Sequence, residues 1–500
     1  MIDNSIIATV LVHLFTAILQ LVFWRKTVTH RALSIIGSLI GLCFAFNLFL
    51  QVFDGKILIM NAANWEAPFG IVFVADLLSA IFVLLTAIVA LAVSIFSAIG
   101  VGRARMLYGY FPIFHFLIMG LNGAFLTGDI FNLYVWFEVI IISSFVLLTL
   151  GGRKPQLEGA VKYMAMNILA STFFLTGIGI LYGITGTLNM ADLSLKILLV
   201  ENQAIVNLTA MFFLIGFGIK SAVFPLYFWL PSSYHTPPSA VAAVFGGLLT
   251  KVGIYGLFRV FTLIFVPNEF IKTVFLGIGI MTILTGAFGA LIKDSIRRLF
   301  SYLIVCHLGF VVGGLGLYTR IAFVGAIFYL IHDIIVKTNL FLMTGLIRQL
   351  RGSMSLSRLG GIYGNYPKLS ILMAIVLFSL AGVPPLSGFW PKIYLIAAAY
   401  ENGNYIYIGS IIIGSFITLF LMAKVWSQVF WKDASTDTII MDKFGPLNKY
   451  EKTFLVLPIG MLALTSLFIG LNAEIIVQVA DRIADEMVDT SFYIEAVLGK

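Results

Sequence analysis

The sequence has few charged residues and almost no cysteine, and each shortage excludes a class of protein. Only 11% of its 500 residues are charged and 60% are hydrophobic, whereas soluble chains carry about 25% charged residues. The low charge excludes a disordered chain. The two cysteines, Cys43 and Cys306, are too few for a disulfide scaffold or a multi-cysteine metal cluster. We therefore expect a polytopic membrane protein.

Long apolar runs account for most of the chain. A hydrocarbon core about 30 Å thick is crossed by about 20 apolar residues in a helix. Fourteen such runs lie near 5–24, 32–53, 70–98, 107–127, 130–150, 159–183, 205–229, 236–263, 271–291, 299–318, 322–346, 370–400, 404–430 and 453–472. The connections leave no room for a soluble domain. The first run has no small-residue cleavage site and is followed by more spans, so we interpret it as an anchor.

Basic residues are distributed unevenly between the two sets of alternating connections. Nineteen lie on one side: Arg25, Lys26, Arg31, Arg103, Arg105, Arg153, Lys154, Lys162, Lys293, Arg297, Arg298, Arg348, Arg351, Arg358, Lys368, Lys432, Lys443, Lys449 and Lys452. Six lie on the other: Lys56, Lys196, Lys272, Arg320, Arg482 and Lys500. Because cytoplasmic connections collect Lys and Arg, this asymmetry predicts that both termini lie outside the cytoplasm. It also explains the net charge of +8 without a nucleic-acid partner.

Six further cations lie within apolar runs: Lys220, Lys251, Arg259, Lys337, Lys392 and Lys424. Arg259 and Lys424 are near span ends, where long side chains can extend to the interface. Each of the other four costs about 2.5–3.5 kcal/mol at a helix centre, so we expect all four to face the bundle interior. The intramembrane acids that can supply the opposite charge are Glu138, Asp333 and Asp76.

Each of these residues also has a structural interpretation that the sequence leaves open. Glu138 can be a protonated acid bonded to a neighbouring helix. Lys220 and Lys251 can be fixed charges that hold a helix pair together. Asp333 and Lys337 are four residues apart on one helical face, which favours a local ion pair. Asp76 lies near the start of its span, and His307 and His332 can be core histidines with satisfied hydrogen bonds.

Four sequence matches in the same order indicate an internal duplication. Their offsets are near 160–168 residues: 159–163 with 325–329, 176–177 with 344–345, 225–231 with 385–391, and Asp129 with Asp294. Since each copy contains five spans, the second copy is expected to be inverted. Transporters with inverted repeats often contain broken helices near the midplane. Pro225 in span seven and the pair Pro384 and Pro385 in span twelve are the expected breaks, because proline removes an amide donor.

The duplication and its flanks predict four segments. These are a three-helix segment at 1–106, a first five-helix repeat at 107–263, a second inverted five-helix repeat at 271–430, and 431–500, which holds a loop, the last span and a short amphipathic tail. Each repeat is predicted to form one proton half-channel.

Several motifs resemble the antiporter-like subunits shared by respiratory complex I, membrane-bound hydrogenases and multisubunit Mrp-type cation/proton antiporters. The motifs are Gly128–Glu138, Lys220–Pro225, Phe228–Pro231, His235–Ala240, Leu249–Gly256, Asp294 with Arg297 and Arg298, Tyr302 with His307, His332-Asp333 with Lys337, and Pro384–Lys392. The resemblance implies an all-α integral membrane fold of about fourteen helices, with two inverted five-helix repeats and discontinuous helices 7 and 12.

The same resemblance implies a role for individual residues. The implied proton path consists of Glu138, Lys220, Lys251, His307, His332, Lys337 and Lys392. Asp333, Asp76 and His235 are the supporting ion pairs or polar sites. The lysine at 392 argues against the complex I subunit that carries glutamate there. The opening spans and the short tail after residue 472 are most similar to the D-type subunits of the Mrp-type branch. The implied partners are other subunits of a membrane hetero-oligomer, together with protons and Na⁺ or another monovalent cation, in a bacterial cell membrane.

Three other functional classes remain to be compared. A proton-pumping subunit of a complex I-like or hydrogenase-like oxidoreductase would share all of these motifs. A membrane enzyme such as a lipid transferase would need a catalytic group of residues at the membrane surface, whereas the charges here are in mid-span. A scaffold without transport activity would not need four buried lysines. No redox cofactor is expected, since facing histidine pairs and cysteine clusters are absent from the sequence, and no metal is assigned.

Overall fold

The protein is a bundle of membrane-crossing helices, described here from a computed structural model of residues 4–433 and 448–499. Lys443 and Lys500, counted above among the connecting cations, lie outside these residues. Within the described ranges, twelve helices are long and apolar enough to cross a membrane. Two shorter apolar helices, Tyr110–Leu126 and Pro367–Ala381, lie where the fourth and twelfth spans are predicted. The predicted helical membrane fold is confirmed.

The helices and strands are labelled in chain order. The first part of the chain contains α1 (Asn4–Val22), α2 (Thr27–Phe53), β1 (Leu58–Asn61), β2 (Val72–Ala75), α3 (Leu77–Gly100), α4 (Arg103–Leu107), α5 (Tyr110–Leu126), α6 (Ile130–Thr149), α7 (Lys154–Thr185), α8 (Met190–Lys196), α9 (Gln203–Ser221), α10 (Trp229–Ser233), α11 (Ser239–Val244) and α12 (Thr250–Leu263). A π-helical segment, Phe245–Leu249, joins α11 to α12.

The remaining helices lie in the second half of the chain. They are α13 (Glu269–Leu291), α14 (Ile296–Leu317), α15 (Arg320–Arg351), α16 (Ile362–Asn365), α17 (Pro367–Ala381), α18 (Trp390–Glu401), α19 (Tyr405–Trp426), α20 (Lys449–Leu471), α21 (Ala473–Val488) and α22 (Ser491–Leu498). Helices α12, α14 and α15 are almost entirely buried. Helices α1, α2, α7 and α19 expose many large apolar side chains, as lipid-facing helices do.

The two ends of the bundle differ in what covers them. We call one the tail face, because α21 and α22 lie on it with the antiparallel hairpin β1–β2. Helix α21 is held there by Arg320, whose guanidinium contacts Asp481 at 3.0 Å and Asp485 at 2.5 Å, and by Arg482, which donates to the Phe53 carbonyl. We call the other the basic face, formed by residues 23–31, 101–109, 150–162, 231–239, 292–298 and 348–368.

A pair of backbone hydrogen bonds occurs twice, at an offset of 166 residues. In the first copy the bonds run from Ile130 N–H to the Leu188 carbonyl and from Met190 N–H to the Gly128 carbonyl, both at 2.9 Å. In the second they run from Ile296 N–H to Met354 at 3.0 Å and from Leu356 N–H to Asp294 at 2.9 Å. The first copy lies at the tail face and the second at the basic face, as an inverted repeat requires.

Candidate ion path

The first broken span ends next to a buried lysine. Helix α9 stops at Ser221, where Ala222 has a left-handed φ of 53° and donates its N–H to the Gly218 and Ile219 carbonyls. The chain resumes as α10 after Pro225, which has no N–H to continue the ladder. Lys220 lies in the last turn of α9 and is 7% exposed. The helix is therefore broken directly after a buried lysine.

The second broken span repeats this arrangement. Helix α17 stops at Ala381, and Gly382, with φ 82°, donates its N–H to the Phe378 and Ser379 carbonyls. After Pro384 and Pro385 the chain resumes as α18, whose Lys392 extends back to donate to the Ala381 carbonyl at 2.9 Å. A carbonyl freed by the break is thus paired with a buried ammonium group.

Lys220 and Glu138 do not form an ion pair in the described structure. The Lys220 Nζ lies over the Phe137 ring, 4.7 Å from its centroid. Glu138 is half-buried on α6, and its buried Oε1 has no hydrogen-bond partner among the described residues. The two groups are separate, so Glu138 does not neutralise Lys220 through an ion pair in this arrangement.

A close contact between two buried charges joins α12 to α15. The Lys251 Nζ lies 2.7 Å from Asp333 Oδ2, with both side chains at most 2% exposed. Lys251 also donates to the Gly246 carbonyl at 2.8 Å. That carbonyl belongs to the π-helical segment, whose wider turn leaves backbone acceptors free. The Asp333 carboxylate is therefore paired across helices with Lys251.

Two further groups surround the other oxygen of Asp333. His307 Nδ1 on α14 lies 3.5 Å from Asp333 Oδ1, and the Lys337 Nζ lies 4.0 Å from the same oxygen. The contact of Asp333 with Lys337 on the same helix is thus longer than its contact with Lys251 on α12. His307 Nε2 is 3.3 Å from the Thr418 hydroxyl on α19. Three ionisable side chains from three helices consequently meet at one carboxylate.

His332 connects this centre with the second broken span. Its Nδ1 lies 2.8 Å from the Ser387 hydroxyl, just after the break. Ser387 in turn contacts the hydroxyls of Ser379 at 2.7 Å and Ser466 at 3.0 Å. The Phe310 ring lies between His307, 5.6 Å from its ring, and Lys392, 5.8 Å from its Nζ. His332 and the three serines therefore form a buried hydrogen-bonded group at the second break.

Asp76 and Arg259 form a pair near the tail face, which differs from the sequence-based expectation. The sequence places Asp76 inside the third span and lets Arg259 extend to the interface. Instead, residues 72–75 are a strand, and Asp76 caps α3 by accepting from Ser79 N–H at 2.9 Å. Arg259 binds both carboxylate oxygens, at 2.6 Å and 2.7 Å. The pair links α3 to α12, away from Asp333.

His235 lies at the basic face, apart from the other candidate residues. It follows α10, and its Nδ1–H donates to the Pro231 carbonyl at 2.8 Å. Burial, with Arg298 nearby, lowers the pKa of His235 to about 4. His235 is therefore neutral near pH 7, and it lies at the basic face rather than at the buried charge centre.

The sequence did not identify the polar groups that complete the centre. Thr418, Ser387 and Ser466 were missed because single hydroxyl residues in apolar helices are too common to be a signal. Tyr329 was also missed; its buried hydroxyl has no partner among the described residues, and its ring lies 5.8 Å from the ring of His307. Its position one turn before Asp333 on α15 is the one signal that could have identified it.

No group of three or more His, Cys, Asp or Glu side chains that could hold a metal ion occurs in residues 4–433 and 448–499. The buried centre has a single carboxylate, Asp333, and two ammonium groups nearby. Such a set of groups suits the holding and passing of protons better than the binding of a divalent cation, which prefers several oxygen ligands.

Comparisons with known proteins agree with this geometry. Residues 127–418 match the family described as NADH:quinone oxidoreductase/Mrp antiporter, TM. The D-type subunit of the Na⁺/H⁺ antiporter of Alkalihalophilus pseudofirmus is 40% identical over 99% of both chains, and that of Bacillus subtilis is 37% identical over 99% of both.

Two solved structures share the fold. A chain of the Mrp complex from Dietzia sp. DQ12-45-1b has a TM-score of 0.91, 28% identity and full coverage of both chains. A chain of the membrane-bound sulfane sulfur reductase, an archaeal respiratory membrane complex, has a TM-score of 0.88 with 24% identity over 99% of both. This chain therefore belongs to the NADH:quinone oxidoreductase/Mrp antiporter family of membrane subunits and, within it, to the D-type subunits of the Na⁺/H⁺ antiporters.

Proposed function

We propose that this chain is the proton-translocating subunit of a multisubunit Na⁺/H⁺ antiporter and drives the efflux of Na⁺ or another monovalent cation. The proposal depends on one observation above all: Lys251, His307 and Lys337 surround the single carboxylate of Asp333 in the bundle core. It is a secondary transporter subunit rather than an enzyme, and it works with the other subunits of the complex.

The cost of burying these groups supports a transport role. A buried ion pair contributes little to stability, since desolvation offsets the attraction between its charges. Five buried atoms in this region have no hydrogen bond to another described residue: His307 Nδ1, Tyr329 Oη, His332 Nε2, Asp333 Oδ1 and Lys337 Nζ. Each unpaired buried group costs about 1–3 kcal/mol. Water bound along α15 would remove this cost and provide the medium in which protons move.

Lys251 and Lys337 compete for the Asp333 carboxylate, and this competition couples the protonation of one lysine to that of the other. Asp333 can neutralise one ammonium group well, but not Lys251 and Lys337 together. When a proton reaches Lys337, the carboxylate shifts toward that lysine and Lys251 loses part of its stabilisation. Lys251 then releases its proton toward Lys220, whose own hold on a proton depends on the distance to Glu138. Lys392 exchanges protons with water beyond the second break.

The charge distribution supports one orientation of the chain in the membrane. The excess of Lys and Arg at the basic face supports a cytoplasmic location for that face. Both termini then lie outside the cytoplasm of a bacterial cell. The repeats 107–263 and 271–430 would each provide one half-channel, with the broken helices α9–α10 and α17–α18 at their centres.

The test is Na⁺-driven proton movement in inside-out vesicles that contain the whole complex. Glu138→Gln and Lys220→Ala should reduce the Na⁺-induced pH change to background while the complex remains assembled. Glu158→Gln is the matched control, because Glu158 pairs with Lys162 at 2.7 Å on the exposed basic face. Normal transport by either path variant would contradict the proposal. Co-purification of iron–sulfur subunits that oxidise a donor would instead support an oxidoreductase subunit.

A further inference from the structure

Four arginines converge on one cavity at the basic face. The cavity has a volume of about 280 Å³, and Arg105, Arg153, Arg297 and Arg348 line it. They come from α4, the start of α7, the start of α14 and the end of α15. No carboxylate lines the cavity in the described part of the chain. Four positive charges therefore share a concave site without a counter-charge from the described residues.

The floor of the cavity is formed by a buried arginine that hydrogen bonds hold in place. Arg297 is 5% exposed and is fixed by three hydrogen bonds. It donates to the Pro237 carbonyl at 2.9 Å, to the Thr344 hydroxyl at 3.2 Å and to the Ser239 hydroxyl. All three partners are neutral, so the charge of Arg297 is held in place but not neutralised.

A second observation points to a missing ligand. Gln156 lines the same cavity and is 2% exposed, yet neither its Oε1 nor its Nε2 has a hydrogen-bond partner among the described residues. A buried amide without partners costs free energy, and this one lies beside guanidinium groups. An anion in the cavity would accept from the Gln156 Nε2 and from the arginines together.

The arginines at the rim of the cavity lie close enough to repel one another. Arg105 is half-buried and donates its Nε–H to the Leu150 carbonyl at 3.0 Å. Burial, with Arg153 and Arg348 nearby, lowers the pKa of Arg105. Arg153 and Arg348 are exposed, so the cavity opens toward water at this face. Phe96 and Gly100 of α3 form its apolar wall.

We propose that this cavity binds a phosphate-bearing anion, either the headgroup of an anionic phospholipid or free phosphate. Guanidinium groups bind phosphate through paired N–H donors, and basic pockets between membrane helices bind anionic headgroups. The apolar wall from α3 suits the glycerol end of a lipid. Such a ligand would hold together α7 of the first predicted repeat, α14 and α15 of the second, and α4 of the segment that precedes them.

The test measures anion binding by the whole purified complex. In one arm, native mass spectrometry counts phospholipid retained after exchange into vesicles of cardiolipin and phosphatidylglycerol. In the other, delipidated complex is titrated with inorganic phosphate and its thermal unfolding is followed. Arg153→Gln with Arg348→Gln should weaken binding by about tenfold or more, because charge-assisted hydrogen bonds are lost. The matched control is Arg25→Gln with Arg358→Gln, two exposed arginines of the same face outside the cavity.

Gln156→Glu provides a variant with nearly unchanged shape. The new carboxylate should pair with the arginines, raise the Tm without phosphate and abolish binding in both arms. Binding in the lipid arm identifies a headgroup, and binding in the phosphate arm alone identifies the free ion. No binding by the unmodified complex in either arm, or equal loss in the control, would overturn the proposal. So would loss of a neighbouring subunit from the Arg153 and Arg348 variant without any bound anion, because the cavity would then be a subunit contact.

Discussion

The Lys251 ammonium and the Asp333 carboxylate lie 2.7 Å apart, on helices that belong to different repeats. Lys251 belongs to the last span of the first repeat, and Asp333 belongs to the third span of the second. Each repeat therefore contributes one charge to a pair that neither could form alone.

Removing the carboxylate from this pair should be strongly destabilising. Asp333→Asn leaves Lys251 buried without its counter-charge, a change that costs about 3–5 kcal/mol when a buried pair is broken. We expect a lower Tm for the purified complex and no Na⁺-driven proton movement. Asp192→Asn, which breaks the Asp192–Lys196 pair at the tail face, should cost about 1 kcal/mol or less. Similar effects of the two variants would contradict the assignment.

A double replacement separates stability from transport at the same site. Lys251→Leu with Asp333→Leu removes both charges, and apolar side chains in place of a buried pair are often neutral or stabilising. The Tm should recover relative to Asp333→Asn, whereas transport should remain absent. Recovery of transport would show that the pair has only a structural role.

Asp76 should show two separable contributions, one as a helix cap and one as the partner of Arg259. Asp76→Asn keeps an N-cap side chain but removes the charge, whereas Asp76→Ala removes both. The alanine variant should therefore be less stable by a further 0.5–2 kcal/mol, roughly the value of a cap. A double-mutant cycle of Asp76→Asn with Arg259→Met should give a favourable coupling energy; additive effects would exclude a direct pair.

Gly253 should tolerate no side chain, because α12 passes very close to the break in α9. A Cβ at this position would lie 2.8 Å from the Ser221 backbone nitrogen and 3.0 Å from the Lys220 carbonyl carbon. Gly253→Ala should push the helices apart, cost about 1–3 kcal/mol and reduce transport by displacing Lys220. Gly183→Ala is the control, since a Cβ there would meet nothing within 4 Å. An unchanged Tm for Gly253→Ala would show that the two helices can separate freely.

Glu486 should make the stability of the tail depend on pH. Burial, with Asp76 nearby, raises the pKa of Glu486 from 4.5 to about 7, despite the opposing charges of Arg259 and Arg482. The folded chain therefore holds the proton more tightly than the unfolded chain. The contribution of Glu486 to stability should be highest below pH 4.5, fall as the pH rises to about 7 and then stay constant.

Glu486→Gln isolates this effect. The variant should lose the fall in Tm between pH 5 and pH 8 and be more stable than the unmodified chain at pH 8. The difference should be roughly 1–3 kcal/mol, because one unit of pKa corresponds to about 1.4 kcal/mol. Asp489→Asn, on the exposed end of the same tail, is the control. Parallel pH curves for Glu486→Gln and the unmodified chain would contradict the prediction.

The sequence predicts the spans, the inverted duplication and the breaks at Pro225 and Pro384 because these depend on local composition and periodicity. It also predicts that the four central lysines are buried, since lipid cannot accommodate them. It does not identify the partner of each charge. Spacing along α15 relates Asp333 to Lys337, four residues away, whereas the shorter contact is with Lys251 on another helix. Pairing across helices depends on packing that one sequence does not contain.

The arginine cavity illustrates the same limit. In the sequence, Arg105, Arg153, Arg297 and Arg348 lie in four separate regions and serve only to indicate the orientation of the chain. Arg259 was interpreted as an interfacial residue because it lies near a span end, but its carboxylate partner comes from a segment 183 residues earlier. In both cases the charge of each residue is evident from the sequence, whereas its neighbours are not.

The position of α21 has a consequence for the order in which the protein is assembled. This helix contacts the end of α2 through Arg482 and the start of α15 through Asp481 and Asp485, yet it is synthesised after all of the spans. A ribosome-bound chain that lacks α21 has the preceding membrane helices but not the contacts that join α2 to α15 through this helix. Closure of the tail face therefore waits for the synthesis of α21, and a chain that stopped before this helix would remain open at that end.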